Sequence, residues 1–502
     1  MMKSRFTFSI LSTVALHIFF FITPATYANN IEVSNVSLSG QNTTDQTVQV
    51  QFDLSWENSW RISVGPSNWD AAWVFVKYRP SGGDWQHASL NYVDGTAAND
   101  GHLEAVGSTI STPADGRGVF IYRDTDGSGD INLSGLRLLW NYGTDGIADG
   151  QLVDIQVFAI EMVYVPQGAF SAGDGTGSTS AGRFRNGFLQ TPYRISSENA
   201  ITVANAIGSL YYSSVVGGGD QLGPIPAAFP KGFDAFYCMK YEVSQGQYVD
   251  FFNTLTTAQK VDRDLSNSQH KNTDAEVARN NFAYTSGSAS TTTPDRALNY
   301  VSNQDVLAYL DWAGLRLMTE LEYEKACRGD QAAVANEFAW GSADLYNPAS
   351  NYTIINDGTP SEGISDPGTL TGNAMVAATS GSLGGPARCG IIAASAINKT
   401  REESGGSYYG IMELTGNVYE RAVTVGNPDG RAYIPNHGDG SLTAAGEHNV
   451  PNWPLIKGGM GYRGGSYLVS DALARVSDRD DAATTANITN NRIGFRAVRT
   501  AP

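Results

Sequence analysis

Residues 410–421 read Gly-Ile-Met-Glu-Leu-Thr-Gly-Asn-Val-Tyr-Glu-Arg, and two shorter stretches of the same character follow them. Residues 463–467 read Arg-Gly-Gly-Ser-Tyr, and residues 492–496 near the C-terminus read Arg-Ile-Gly-Phe-Arg. In all three, glycine and charged residues stand between apolar ones, without the period of a long helix or a plain strand. This pattern predicts tight loops in which backbone carbonyls and side-chain carboxylates converge.

The composition narrows the possible classes of protein. The chain has 502 residues, 55 of them glycine, and 17% of the residues are charged, as in a loop-rich globular protein of several domains. A net charge of −17 makes nucleic acid and anionic membranes unfavourable partners. The cysteines, Cys238, Cys327 and Cys389, are too few for a disulfide scaffold and too widely spaced for a compact metal knuckle. Which of them pair, if any, stays open.

Residues 1–28 have the features of a secretory signal peptide. Lys3 and Arg5 precede an apolar run over residues 8–22, and small residues end the segment. We expect cleavage after Ala28 and a secreted, extracytoplasmic protein. An uncleaved membrane anchor is the alternative, although the run is short for a bilayer span. No later stretch approaches about 18 continuous apolar residues, so we expect no transmembrane segment after cleavage.

Residues 29–160 predict an antiparallel β-sandwich. Apolar and polar residues alternate over residues 48–56, which indicates a half-buried strand, and residues 72–78 are more uniformly apolar. Three further strands are predicted over residues 119–122, 136–140 and 152–160. Clusters of Pro, Gly, Asp and Asn separate the strands. No flexible linker follows, so we expect the next domain to pack closely against this one.

Three helices are predicted further along by capping boxes, in which a Ser or Thr stands three residues before a side chain that can bond back to it. The pairs are Ser244 with Gln247, Ser302 with Asp305, and Thr319 with Glu322. Residues 171–230 predict a long irregular insertion of unknown role, with a short helix around residues 200–210. We expect Trp312, Tyr323 and Trp340 to lie in the core.

Seven short motifs occur in a fixed order: residues 162–168, 240–244, 311–324, 340–341, 416–420, 464–466 and 494–496. They resemble the formylglycine-generating enzyme, or sulfatase-modifying factor, family over residues 161–502. The resemblance implies a C-type-lectin-like variant fold with little regular structure. The predicted chain is therefore multidomain: a signal peptide (1–28), an all-β sandwich (29–160) and an α+β sulfatase-modifying-factor-like domain (161–502).

The resemblance also implies which chemistry is in doubt. In the oxidases of this family, two cysteines beyond the Gly-Gly-Ser motif bind one copper ion, but here the first position falls on Val469 and the second between Asp471 and Ala474. Only Ser466 matches the family's active site, which argues against copper and against formylglycine generation by the known mechanism. The iron-dependent sulfoxide synthases of the family use a histidine set from an added helical domain, and this chain has no His-x-x-x-His cluster.

Calcium is the cofactor that the resemblance implies. The family's loop corresponds to the side chains of Glu413 and Glu420 and the carbonyls of Gly416 and Val418, which offer the hard oxygens that calcium prefers. A second family site would begin at Asn351 and Tyr352. The alternative for the first loop is a solvated turn.

The N-terminal region has a third candidate calcium site, which rests on spacing alone. Its oxygen-bearing residues stand at alternate positions, as in an EF-hand loop; they are Asp124, Asp126, Ser128 and Asp130. The last position is Gly135 instead of a bidentate Glu, and no entering helix is evident. A polar turn that joins two strands is the alternative.

These observations favour a non-copper, calcium-braced binding module for a polysaccharide or protein ligand. One alternative is an oxidoreductase of the family that acts on a sulfatase cysteine. Another is a structural component of a surface or assembly. Whether the protein is an enzyme is left open, with binding preferred because the cysteine pair is missing. The ligand and the oligomeric state cannot be read from the sequence.

Overall fold

The computed structural model describes residues 30–176, 182–213, 217–346, 352–380, 383–454, 458–484 and 489–502. The predicted signal peptide lies outside these ranges. Within the described ranges, no helix combines the length and the apolar character needed to cross a bilayer.

The strands of the first third of the chain are β1 (Glu32–Asn42), β2 (Thr47–Arg61), β3 (Asp70–Pro80), β4 (Gln86–His87), β5 (Ser108–Ser111), β6 (Val119–Arg123), β7 (Gly127–Trp140) and β8 (Val153–Val165). The later strands are β9 (Phe170–Ala172), β10 (Arg185–Asn186), β11 (Tyr193–Ile195), β12 (Leu210–Tyr211), β13 (Phe236–Met239), β14 (Ala283–Thr285), β15 (Ser288–Ser290), β16 (Arg316–Leu317), β17 (Ile354–Ile355), β18 (Gly363–Ile364), β19 (Tyr419–Val423), β20 (Met460–Arg463), β21 (Ile493–Gly494) and β22 (Ala497–Thr500). The helices are α1 (Ala97–Asp100), α2 (Gln245–Asn253), α3 (Thr257–Arg263), α4 (Asn303–Trp312), α5 (Glu320–Arg328), α6 (Ala377–Ser380), α7 (Ile391–Ser395) and α8 (Pro428–Arg431).

Two sheets enclose the core of the N-terminal region. Strands β1, β2 and β7 form one antiparallel sheet, and β3, β5 and β6 belong to the other. The alternation over residues 48–56 is confirmed, because Val50, Phe52 and Leu54 are buried while their neighbours are half exposed. They pack against Val74 and Ile121 of the facing sheet, in one apolar cluster. Period-two burial is what one solvated face and one packed face impose on a strand.

Strand β8 joins the N-terminal region to the rest of the chain. It pairs with β3 along residues 153–163 and with β13 along residues 162–165, so a single sheet runs from β5 to β22 and β16. The boundary predicted at residue 160 therefore falls inside a strand. The two parts also share buried contacts, such as the hydrogen bond from the Trp73 indole to the carbonyl of Ala313, at 2.8 Å.

The three predicted capping boxes are all formed. In α2, for example, Ser244 Oγ accepts a hydrogen bond from the amide of Gln247, and Gln247 Oε1 accepts one from the amide of Ser244. Thr256 and Gln259 form a fourth box at the start of α3, which the same Thr-x-x-Gln spacing could have predicted. Capping boxes were predictable because they depend only on residues within one turn.

The helix predicted around residues 200–210 is wrong. The chain there makes turns and the short strand β12, which pairs with β10, and β9 pairs with β11. Gly208 has a φ of 85°, which a right-handed helix does not allow. The described part of the 171–230 insertion packs against the C-terminal part of the chain. Phe184 and Tyr212 are buried, and their rings contact the guanidinium of Arg479.

We expect the substitution Ser244→Ala to lower the free energy of unfolding by about 1 kcal/mol, because it removes the acceptor for a first-turn amide of α2. Ser244→Gly is the matched comparison, with an expected loss of only a few tenths of a kcal/mol. Urea unfolding followed by circular dichroism measures both. Equal losses in the two variants would contradict a specific role for the hydroxyl.

Candidate functional site

The three glycine-rich motifs converge on one small sheet. Strand β19 lies in the middle and pairs antiparallel with β20, where Glu420 faces Arg463, and parallel with β21, where Glu420 faces Gly494. The loop before β19 is tied to the loop after β20 by the amide of Gly416, which donates to the carbonyl of Gly464 at 2.8 Å. Motifs that are far apart in the sequence thus form one layer.

The Gly-Gly-Ser motif is a packed turn. Gly464 and Gly465 have φ values of 86° and 70°, and a Cβ on Gly465 would stand 2.7 Å from that of Ala474. Only glycine allows this approach. Ser466, the one residue that matches the family's active site, is fully buried, and its Oγ accepts from the amide of Leu468 at 3.4 Å.

Cysteine is absent from the positions of the copper ligands, the first on Val469 and the second between Asp471 and Ala474. Val469 lies in a cluster with Tyr419, Tyr462 and Ile493. Ala474 ends a 3-10 turn that begins at Asp471 and is buried in another apolar cluster. Neither side chain offers an atom that binds a soft metal ion.

The cysteines do not replace the missing pair. All three are free and buried: Cys238 and Cys327 share one apolar cluster, and Cys389 lies in another. Burial raises the pKa of each thiol, that of Cys327 to about 12, so the thiolate form that copper binds is disfavoured. The residues present therefore do not fit the family's copper centre. Among the described residues, no group of three His, Cys, Asp or Glu side chains is placed to bind a metal ion. These residues therefore also lack the ligand set of an iron site.

Of the predicted calcium ligands, Glu420 is engaged by an arginine. Both of its carboxylate oxygens accept from Arg496 Nε at 2.7 Å, and the guanidinium also donates to the carbonyls of Met239 and Lys240. Burial raises the pKa of Glu420 to about 7, against the opposing effect of Arg496. The guanidinium neutralises the Glu420 carboxylate and so weakens its attraction for a calcium ion; Glu420 as a calcium ligand stays a prediction.

Glu413 is different. It adopts a left-handed backbone conformation (φ 57°) and is buried, and its Oε2 accepts from the amide of Gly390 at 2.8 Å. The carboxyl group of Glu242 lies within hydrogen-bonding reach of the Glu413 carboxyl, and burial raises the pKa of both, so the pair can share a proton. A cation at this position would take the place of that proton. The loop therefore fits calcium in part: Glu413 offers a carboxylate, and Gly416 and Val418 lie buried in the same loop. Calcium here stays a prediction.

Of the two residues of the second predicted calcium site, Asn351 lies outside the described residues. Tyr352 is buried, and its hydroxyl donates to Asn373 Oδ1 at 2.8 Å.

The EF-hand-like residues lie in a β-hairpin. Asp124 and Asp126 form the turn between β6 and β7, and Ser128 and Asp130 are in β7 itself, where Ser128 pairs with Trp60. The Asp126 carboxylate accepts from Ser63, and that of Asp130 from Asn58, so both carboxylates already have protein partners. Calcium at this hairpin stays a prediction.

A buried ion network underlies the small sheet, and sequence reasoning missed it. Glu320 accepts from Arg463 at 3.0 Å and from Arg479 at 2.6 Å. Glu324 accepts from Arg463 at 3.0 Å and from Arg328, which also pairs with Glu337. The side chains are at most 2% exposed. The network fixes α5 to β20 and to the segment beyond the Gly-Gly-Ser turn.

Asp478 lies next to this network, and burial raises the pKa of its carboxyl to about 7. The native state thus holds this proton more tightly than the unfolded chain, whose Asp has a pKa near 3.8, and stability from this group is lost as the pH rises through 7. We expect Asp478→Asn to match the wild type at pH 4.5 and to be more stable at pH 8 by about 1–3 kcal/mol. Urea unfolding at both pH values measures this. An equal effect at both would contradict it.

A cavity of about 630 Å³ lies away from the Gly-Gly-Ser turn, and we call it the seam cleft. Its walls come from the N-terminal sheet and from the C-terminal loops. The lining residues are Glu57, Asn58, Trp60, Asp130, Lys240, Tyr241, Ala393, Ala394, Lys399, Ser404, Gly410 and Met412. No prediction from the sequence pointed to it, because its residues are far apart along the chain.

Comparisons with known proteins agree with the C-terminal motifs. The bovine (Bos taurus) formylglycine-generating enzyme is 35% identical over 130 residues, which cover 22% of this chain and 34% of the bovine protein. Hercynine oxygenase of Mycolicibacterium smegmatis is 48% identical over 50 residues, which cover 10% of this chain and 12% of that enzyme. The aligned segments thus span about a third and an eighth of these relatives.

Among solved structures, Treponema denticola variable protein 1 aligns with 68% of this chain and 96% of its own, at 13% identity and a TM-score of 0.32. The family whose pattern matches is described as "Sulfatase-modifying factor enzyme 1-like domain", and the match covers residues 155–501. It begins inside β8, the strand that joins the two parts of the sheet. The chain belongs to the sulfatase-modifying factor enzyme 1-like family.

Proposed function

We propose that this protein is an exported binding protein, in which a sulfatase-modifying-factor domain works without copper and holds a polysaccharide or protein ligand. The observation that carries the proposal is the lack of a thiol at the positions of the family's copper cysteines, where Val469 packs in an apolar cluster and residues 471–474 contain no cysteine. Oxidation of a substrate cysteine at such a centre needs two thiolates, and these side chains have none. Export rests on the predicted signal peptide.

Incubation of the purified protein with copper, oxygen and a Cys-x-Pro-x-Arg peptide tests the proposal. We expect the peptide to keep its thiol and its mass. A copper-loaded formylglycine-generating enzyme under the same conditions is the positive control. Conversion of the peptide cysteine to an aldehyde would overturn the proposal.

Calcium is part of the proposal as a structural brace of the loop before β19. The buried carboxyl pair of Glu413 and Glu242 supports it, because a cation there would replace the proton that the pair otherwise shares, and the Arg496 guanidinium on Glu420 limits the ligand set. Elemental analysis of protein purified without chelator measures the metal directly, and thermal unfolding with and without EDTA measures its effect. We expect about one calcium per chain and a lower melting temperature in EDTA. No bound calcium and no shift would remove calcium from the proposal.

Oxidoreductase activity is the second candidate. It is favoured by the similarity to a formylglycine-generating enzyme and to hercynine oxygenase, although the aligned segments are short. An oxidation that did not use the two missing cysteines would need other metal ligands or another cofactor. The peptide assay, repeated with iron in place of copper, separates this candidate from binding alone.

A further inference from the structure

The seam cleft stands where the N-terminal sheet, most of which lies outside the matched family region, meets the family domain. Trp60 and Glu57 come from β2 and Asp130 from β7, while Tyr241 and Met412 come from the C-terminal part. The residues around the Gly-Gly-Ser turn are not among its lining. The N-terminal strands therefore supply one wall of the cleft.

The base of the cleft, defined as the lining around Lys240 and Trp60, contains a buried ion pair. The Lys240 ammonium lies 2.5 Å from Glu161 Oε1 and 3.9 Å from Asp70 Oδ2, all three side chains being buried. It also lies over the Trp60 ring, 4.9 Å from the centroid. Gly410 packs closely on the same indole, since a Cβ there would stand 2.9 Å from a ring carbon. The charge of Lys240 is thus satisfied within the protein, and the base offers mainly aromatic surface.

The cleft lining also contains polar groups without protein partners. Within the described residues, no hydrogen bond or ion pair reaches the Glu57 carboxylate, the Lys399 ammonium or the Tyr241 hydroxyl. Partial burial raises the pKa of Glu57, and nearby Asp130 adds to the effect while Lys399 opposes it. Polar groups that line a cavity and lack internal partners are available to a ligand.

We propose that the seam cleft binds a neutral saccharide of one or two rings. The hydroxyl groups of such a ligand donate hydrogen bonds to the Glu57 carboxylate and accept one from the Lys399 ammonium. They either donate to the Tyr241 hydroxyl or accept from it. Its C–H faces pack on Trp60 and Met412, while the nearly balanced charges of the rim give no advantage to a strongly charged molecule. The volume of about 630 Å³ lies in the range of small-ligand sites.

The saccharide proposal rests on the proposed binding function, because it names the ligand class of that function. It is tested by a binding measurement that does not depend on the peptide-oxidation assay. Saturation-transfer NMR with maltose, cellobiose and N,N′-diacetylchitobiose, each at millimolar concentration, probes the full-length mature protein. We expect signal transfer from at least one disaccharide. Transfer from none of them, or transfer only from a short peptide such as trialanine, would overturn the proposal.

Variants then locate the site. Glu57→Ala and Tyr241→Phe each remove one polar partner from the cleft and are expected to weaken binding at least about fivefold. Asp154→Asn, an exposed carboxylate outside the cleft lining, is the matched control and should bind as the wild type does. Equal affinity in all four proteins would place the saccharide elsewhere and overturn the proposal. Peptide oxidation in the copper assay would instead overturn the copper-free function and leave the cleft result standing.

Discussion

Replacement of Glu320 by glutamine is expected to lower the free energy of unfolding by about 3–5 kcal/mol, one of the two largest single effects that the structure predicts. The carboxylate accepts from the guanidinium groups of Arg463 and Arg479, and also from the amide of Val425 at 2.8 Å. Neither arginine side chain is exposed. Glutamine keeps the shape but removes the charge, so two buried cations lose their shared counterion.

Equilibrium unfolding in urea, followed by tryptophan fluorescence, measures the loss. Glu32→Gln is the matched control, because Glu32 is exposed at the start of β1, and its effect should stay within about 0.5 kcal/mol. A loss in Glu320→Gln no larger than that of the control would contradict the assignment of this network as the main tie between α5 and the C-terminal loops.

The substitution Arg496→Met is expected to cost a similar amount, about 3–5 kcal/mol at pH 7.5. It leaves the fully buried Glu420 carboxylate without its counterion, and it removes the donors to the carbonyls of Met239 and Lys240. These contacts connect β21, β19 and the end of β13, so the loss affects the sheet on which the three C-terminal motifs converge.

The double variant Glu420→Gln, Arg496→Met is the control for charge. Replacement of both members of a buried pair often costs little, because the desolvation penalty of both charges disappears with them. We therefore expect the double variant to recover at least half of the loss, as measured by the same urea unfolding. A double variant that is less stable than Arg496→Met alone would show that the contacts of Glu420 matter beyond its pairing with Arg496.

Local and periodic features of the fold could be predicted from the sequence. The strand over residues 48–56 follows from the alternation that a half-buried sheet imposes, and the capping box of Ser244 depends on residues three apart. The three C-terminal motifs indicated convergence, and they form the sheet around β19. The domain boundary was harder to place, because β8 contains no break where the N-terminal strands end and the family region begins.

The rest depended on contacts between distant residues. Glu320 and Arg463 are 143 residues apart, so nothing local marks them as partners, and an acidic helix residue reads as solvated until its surroundings are known. The seam cleft joins residues near position 60 with residues near position 410. The Glu420 prediction depended on the family's loop, but the sequence does not reveal that Arg496 reaches both carboxylate oxygens.

We expect this member of the family not to form the thiolate copper centre. A competition titration of Cu(I) between the protein and bicinchoninate under reducing, anaerobic conditions tests it most directly, with a formylglycine-generating enzyme as the positive control. We predict that the protein withdraws no copper from the chelator, because Val469 and Ala474 provide no thiolate and the three cysteines are buried in two separate clusters. Stoichiometric withdrawal of one Cu(I) per chain would contradict the account.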